Sequence, residues 1–368
     1  MFSWLQGSPA KKSTEFGSRK QYRPQLEALE DRNLLSTVGI IRVHAGGSIQ
    51  AAIDAAPSTG AAIVVDPGTY ANFVVAKPNI QIVGLSQAGV VIQKAGQDNG
   101  VVVTSGGSGF SLCNVTVRGF ADNGILLQGV DGFVISRVTA QDDGEYGVFP
   151  VLSAHGRIEY CTASGHHDTG IYVGESHDVS IFANRTFENL NGIEIENSVN
   201  VRALGNNSYN NTAGMLIDLL PGLDVTVCHD ILVSGNFIHG NNLANSATGG
   251  IEALVPAGTG ILIIGADKVT AQFNVVTGNR FIGIGLVSST ILTALGGIST
   301  ADIEPDPDGT RILHNVVLGN GTAPSPIPTL LPTGADLIWD GSGSDNLWIG
   351  NLFGSSFWPG SPLPLPGE

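Results

Sequence analysis

A glycine followed by an aliphatic residue returns at a nearly constant interval, and that interval restricts the folds open to this chain. The pairs are Gly124-Ile125, Gly147-Val148, Gly170-Ile171, Gly192-Ile193, Gly214-Met215, Gly260-Ile261 and Gly283-Ile284, spaced by 23, 23, 22, 22, 46 and 23. A second signal keeps step with the first. Asparagines five apart recur at Asn184/Asn189, Asn206/Asn211, Asn236/Asn241, Asn274/Asn279 and Asn315/Asn320. Between these marks lie β-prone runs of strand length, such as "GIYV", "DVSIFA" and "GIEIE", with no room for a helical period of ten or more residues. So short a unit cannot bury its apolar side alone. Stacking each coil on the last gives parallel strands about 4.8 Å apart around a continuous apolar interior. Asparagines at equivalent corners then stack into ladders along the axis. The expected class is an all-β solenoid. The step of 46 is either one coil with long insertions or two coils. Leucine-rich repeats have a similar period, but their leucine pattern is absent.

The flanks fit a capped stack. "SIQAAIDAAP" places Ile49, Ala52, Ile53 and Ala56 on one helical face, with Ser48 as N-cap and Pro57 as a stop. A helix there would cover the open end, whose free strand edge otherwise invites aggregation. "GTAPSPIPTLLPTG" reads as a Pro-rich loop and "SPLPLPGE" as a proline-blunted tail. The expected division is a leader (1–36), the solenoid (37–358) and a Pro-rich tail (359–368). The formal charge of −15 disfavours nucleic acid and anionic membrane surfaces as partners. The leader carries six Lys/Arg and four Asp/Glu, so the net negative charge resides wholly in the remainder. It lacks an apolar signal-peptide core and reads as a polar, disordered arm. No run of eighteen apolar residues marks a membrane span. Three scattered cysteines form neither a disulfide framework nor a CxxC motif.

"DPGTYANFVVAKPNIQIVG", followed by the glycine and asparagine coils, resembles the right-handed parallel β-helix proteins of the pectin-lyase-like superfold. "GIYVGES", "GIEIENS" and "GADLIWDGSGSDNLW" resemble its bacterial parallel β-helix repeat branch. The resemblance spans residues 40–355 and implies a right-handed parallel β-helix with an N-terminal capping helix. It leaves function open, because that superfold hosts polysaccharide lyases, hydrolases, epimerases and plain adhesins. The leader's ending, "LEALEDRNLLS", resembles the LEPR-XLL segment of extracytoplasmic bacterial proteins, with Glu30-Asp31-Arg32 where that name has Glu-Pro-Arg. It implies an extracytoplasmic or secreted location.

Period two along each strand sends the second and fourth residues after each glycine outward. The columns are Leu126, Phe149, Tyr172, Glu194, Leu216, Leu262, Gly285 and Gln128, Val151, Gly174, Glu196, Asp218, Ile264, Val287. One face therefore carries aromatic Phe149 and Tyr172 beside Glu194, Glu196 and Asp218, a combination suited to sugar rings. The later apolar column, Leu262, Ile264 and Val287, is expected to meet an inserted loop or a partner. The asparagine pattern breaks two coils before Asn184, with Val138 and Cys161 at its first position and Asp143 and His166 at its second. Departures from a repeat are where function is sought, and "GHHD" lies at this one.

The candidate catalytic residues are therefore His166, His167, Asp168, Glu194 and Glu196. Candidate substrate contacts are Phe149, Tyr172, Glu175, His177, Arg185 and Asp218. A uronate lyase or epimerase would need a base (Tyr172 or a histidine) and a positive group, either Arg185 or a cation held by Asp142, Asp143 and Asp168. β-Helix alginate epimerases carry a "YGFDPHD"-like run. Here it reads "YGVFPVLS", with Phe149 and Val151 in place of its Asp and His, so that activity is not implied. A hydrolase would use carboxyl pairs: Glu194 and Glu196 about 7 Å apart along one strand, or Glu196 and Asp218 about 5 Å apart across coils. Three carboxylates favour a neutral glycan over a polyanion. No cofactor is evident. Calcium is possible at "IEPDPDG", where Glu304, Asp306 and Asp308 supply oxygen ligands. The expected partner is a polysaccharide or cell-surface glycan. The competing expectation is a non-catalytic structural or adhesive surface protein.

Overall fold

Each repeat unit forms one coil of three short strands, as in Ala154–Glu159, Thr162–Ser164 and Thr169–Gly174. In this computed structural model, which describes residues 39–359, the coils stack into three parallel sheets of 12, 11 and 11 strands. They are called here the first, second and third sheets, in the order that each coil visits them. The third-sheet columns run in register through Tyr172, Glu194, Leu216, Leu262 and Gly285, and through Gly174, Glu196, Asp218, Ile264 and Val287. The sequence period alone had placed them so. Ala213–Asp218 pairs directly with Thr259–Ile264, so the long step is one coil carrying insertions. The leader (1–36) and residues 360–368 of the tail lie outside the described residues.

The asparagine pairs belong to two separate ladders, one at each end of the short second-sheet strand. In one, the backbone N–H and side-chain amide of Asn206 both donate to Asn236 Oδ1, at 2.9 and 3.0 Å. The pattern starts at the Cys161 N–H, which donates to Asn184, and runs on through Asn274 and Asn315 to Asn351. The other ladder runs Asn189, Asn211, Asn241, Asn279, Asn320 and closes on Asp336. Every rung faces the same way, donating to the oxygen of the coil that follows it.

The glycine column has its cause here. A Cβ on Gly170, Gly214, Gly260 or Gly283 would stand 2.8, 2.7, 2.9 or 3.0 Å from the amide nitrogen of a ladder asparagine. The two sequence signals keep step because a rung of one coil lies over the glycine of its neighbour. A third column, Ser153, Ser176 and Ser198, repeats the device at the third corner, each hydroxyl accepting from the N–H one coil before at 3.0 Å.

The helix Ile49–Ala55 buries Ile49, Ala52 and Ile53, and packs on strands Gly39–Val43, Ala61–Val65 and Phe73–Val75 at the start of the stack. Ser48 Oγ accepts from the Ala51 N–H at 3.1 Å. Lys77 Nζ satisfies the C-terminal carbonyls of Ile53, Asp54 and Ala56 at 3.1, 2.7 and 2.9 Å.

The outer face of the third sheet changes character along the stack. Ile125–Gln128 and Val148–Val151 alternate buried with half-buried or exposed residues. From Thr169–Gly174 through Ala335–Trp339 every strand residue is buried. Inserted segments cover it: Val255, Ile291, Ile327 and Leu331 pack on Leu216, Leu262, Ile264, Ile282 and Val287. The late apolar column thus meets inserted loops.

Candidate functional site

Where the cover begins, it leaves a narrow slot over the third sheet. Glu194, Glu196 and Asp218 form its floor, Asp168 and Asn191 one side, and the insertion 251–256 with Leu292 and Leu331 its roof. The slot leaves about 60 Å³ for water-sized molecules. Among the described residues no Lys, Arg or His lines it. On the side of the open coils stands an aromatic group. Tyr146, Phe149 and Tyr172 pack with ring centroids 4.4–5.1 Å apart.

Oxygens of Glu194, Glu196 and Asp218 approach within 4.8 Å of one another, all buried. Glu194 and Glu196 leave the same strand two residues apart and so share a face; Asp218 is the register partner of Glu196 on the next coil. The Tyr172 hydroxyl donates to Glu196 Oε1 at 2.5 Å. Glu194 Oε2 accepts from Thr169 Oγ1 and, at 3.1 Å, from Asn191 Nδ2. Asp218 Oδ1 and Asn191 Oδ1 have no hydrogen-bond partner.

Burial dominates the protonation of this floor. Loss of water pushes Glu196 up to about 7, opposed by the Tyr172 hydrogen bond, and Asp168 up to about 6. Glu194 and Asp218 are raised well above the usual range, first by burial and then by the carboxyls around them. At neutral pH Glu194 and Asp218 therefore hold protons, Glu196 is divided between its two forms and Asp168 is mostly ionised.

Not all of the expected site residues converge. Asp168, Tyr172, Glu194, Glu196 and Asp218 line the slot, and Phe149 packs beside it. Tyr172 is 7% exposed, so it offers its hydroxyl rather than a free stacking face. His166 is a correction. Its backbone N–H donates to Asn189 Oδ1 at 3.1 Å and its ring is buried as a rung of the second ladder. Burial pushes that ring down to about 4 and pushes Asp143, the next rung, up to about 8, so both are neutral ladder members. His167 is exposed at the same corner and does not line the slot. Glu175 accepts from the Val225 N–H at 3.0 Å and ties down an insertion. His177 is exposed on the third corner, beside His155. Arg185 lies on the second sheet, bonded to the Tyr209 hydroxyl at 2.7 Å and stacked over Phe187. Sequence reasoning missed Tyr146 and Asn191. Both sit one residue before a repeat glycine, Gly147 and Gly192, and that shared position is the signal that could have found them.

Two carboxylate sets could hold a divalent ion by geometry. One is Glu194, Glu196 and Asp218; the other is Asp267, Glu304 and Asp308. The latter takes two of the expected "IEPDPDG" oxygens, with Asp267 in place of Asp306. The trio Asp142, Asp143 and Asp168 does not assemble, because Asp143 is enclosed in the ladder. Among the described residues no helix is long and apolar enough to cross a membrane.

A sequence model of the family described as "Right handed beta helix region" matches residues 99–229. Among solved structures, the A-module of the Azotobacter vinelandii mannuronan C-5 epimerase AlgE4 is similar, with TM-score 0.64 and 18% identity over 87% of this chain and 93% of that one. The AlgE6 A-module of the same organism has TM-score 0.60 and 16% identity, over 87% and 92%. A variant of the periplasmic alginate epimerase AlgG has TM-score 0.53 and 13% identity, over 84% of each chain. No curated protein matches by sequence. At these identities the likeness is one of fold. With its three parallel sheets and stacked coils, the chain folds as a right-handed parallel β-helix.

Proposed function

We propose that this protein is an extracytoplasmic carbohydrate-active β-helix that hydrolyses a neutral polysaccharide at the third-sheet slot. The observation that carries the reading is the convergence of Glu194, Glu196 and Asp218 within 4.8 Å, buried, beside an aromatic group. Glu196 takes the Tyr172 hydrogen bond that favours its carboxylate form. Asp218 has an unpartnered oxygen and a strongly raised pKa, which suits a proton donor. In this reading Asp218 protonates the glycosidic oxygen and Glu196 attacks the anomeric carbon. Water then hydrolyses the glycosyl-enzyme, with Asp218 taking the proton. A close approach of this kind suits retention, for which carboxyl groups stand about 5–5.5 Å apart. A slot without a basic residue among those described disfavours a uronate substrate. That separates this reading from the alginate epimerases of like fold, in keeping with Phe149 and Val151 at the "YGFDPHD" positions. The covered late coils leave approach from the Phe149 side, so the chain end is the substrate.

A second reading, a non-catalytic structural or adhesive surface protein, is favoured by the tightness of the slot. About 60 Å³ admits roughly four waters and no sugar ring. Catalysis therefore requires the roof to lift. Incubation with a panel of neutral and uronate polysaccharides separates the readings. We expect release of small sugars from a neutral glycan, abolished in Asp218→Asn and Glu196→Gln. Absence of turnover across the panel, or unchanged turnover in both variants, overturns the hydrolase reading. The location is tested by fractionating the native host.

A further inference from the structure

The corner between the third and first sheets carries a cluster that the slot does not use. Nitrogens of His155 and His177 and an oxygen of Asp178, all on exposed residues, lie within 4.8 Å of one another. They come from two successive coils, joined where Ala154 bridges His177 and where the His155 N–H donates to the His177 carbonyl at 3.2 Å. His155 and Asp178 both adopt positive φ, +52° and +57°, which turns their side chains out of the strand line at equivalent places in the two coils. A third coil adds Asp131, whose Oδ1 lies 2.6 Å from His155 Nδ1. A carboxylate only accepts, so His155 bears its proton on Nδ1 and keeps the Nε2 lone pair free. That Nε2 stands 3.8 Å from Asp178 Oδ2, and His177 Nδ1 stands 2.8 Å from the same oxygen.

We propose that His155, His177 and Asp178 form a surface site for a borderline divalent transition-metal ion of the zinc, copper or nickel type, with Asp131 orienting His155. Imidazole pairs with one carboxylate select these ions over calcium and magnesium, which take oxygen ligands. A carboxylate on the far nitrogen of a ligating histidine is the usual outer support of such sites. Bonds of about 2.0–2.1 Å require the ligand atoms to close to roughly 3.3 Å. The histidine side chains are 61% and 55% exposed, so rotation about their side-chain bonds achieves this without moving a coil. An ion there replaces the His177–Asp178 hydrogen bond, clamps two coils together and leaves a coordination position to solvent.

The test is titration of the tag-free full chain with zinc, and separately with nickel and calcium, by calorimetry. All eight histidines lie in the described part of the chain, so variants account for each alternative. His155→Asn and Asp178→Asn retain a residue that tolerates positive φ. Together with His177→Ala, each is expected to weaken one zinc equivalent at least tenfold. Asp131→Asn should weaken it by about 10–100-fold through His155. His229→Ala, which alters a comparable His–Asp pair two coils further on, should leave it unchanged, and calcium should not compete. Melting temperatures without metal confirm that the variants fold. Zinc affinity unaltered in the His155→Asn/His177→Ala double variant, or no zinc equivalent bound by the unaltered chain, overturns the site.

Discussion

Asn206 shows how much one side chain does in this molecule. Its amide donates to Asn236 Oδ1 and to the Ile181 carbonyl, and its own Oδ1 accepts from Asn184. Asn206→Ala leaves buried partners unmatched on both neighbouring coils. We expect a loss of about 1–3 kcal/mol in urea unfolding, with activity otherwise retained. Asp143 serves as a rung by accepting from the Phe120 N–H at 3.1 Å and donating its own N–H to His166, and burial raises its carboxyl to about 8. The slot carboxyls share that tendency. They bind protons more tightly folded than unfolded, so stability falls as pH rises between the two pKa values. His166 is displaced in the opposite sense, to about 4, and offsets this only below its unfolded value near 6.5. Between pH 6.5 and 8 the carboxyl effect is joined by that of His155, which the Asp131 hydrogen bond raises and which acts in the same sense. The melting temperature should drop across that window in the presence of a chelator, and Glu196→Gln should flatten the drop. A rising melting temperature would contradict the protonated floor.

Among the elements, the capping helix rests on a lysine that the helix itself does not contain. Lys77→Met removes three bonds to helix C-terminal carbonyls. It should cost about 1–2 kcal/mol, read by thermal unfolding. The helix was readable from its apolar face and Ser48, since both are local signals. So were the strands and the outward columns, because the glycine marks the register of each coil. What the sequence concealed lies between elements. The Asn-x4-Asn pairs look like one ladder; they are two, because each pair spans a three-residue second-sheet strand. Ser153, Ser176 and Ser198 recur at 23 and 22 residues, a signal present but masked by the commoner asparagines. His166 looked like a departure with a purpose, yet a ladder rung needs only an acceptor facing the previous coil, which imidazole supplies. The docking of the insertions over the slot could not be read, since their lengths say that they exist and not which face they cover.

Across the whole molecule, each coil touches mainly its two neighbours, so stability is a sum of coil terms and coil-to-coil terms. The lettering of the stack is not symmetric, however. Because every rung donates toward the coil that follows, the ladders have a polarity, like a row of arrows. The second one terminates on Asp336, whose Oδ1 receives the Asn320 amide while Oδ2 takes the Gly354 and Ser355 N–H groups. An aspartate has no side-chain amide to pass on, so beyond it a row continues through the backbone N–H alone, as at Asp143. A duplicated coil, residues 185–206, should therefore splice in after Asn206 with little loss of melting temperature. The same coil placed after residue 336 should be markedly less stable unless Asp336→Asn accompanies it. The second ladder is thus open to lengthening by internal copying and, among the described residues, ends on Asp336, which makes that carboxylate its full stop.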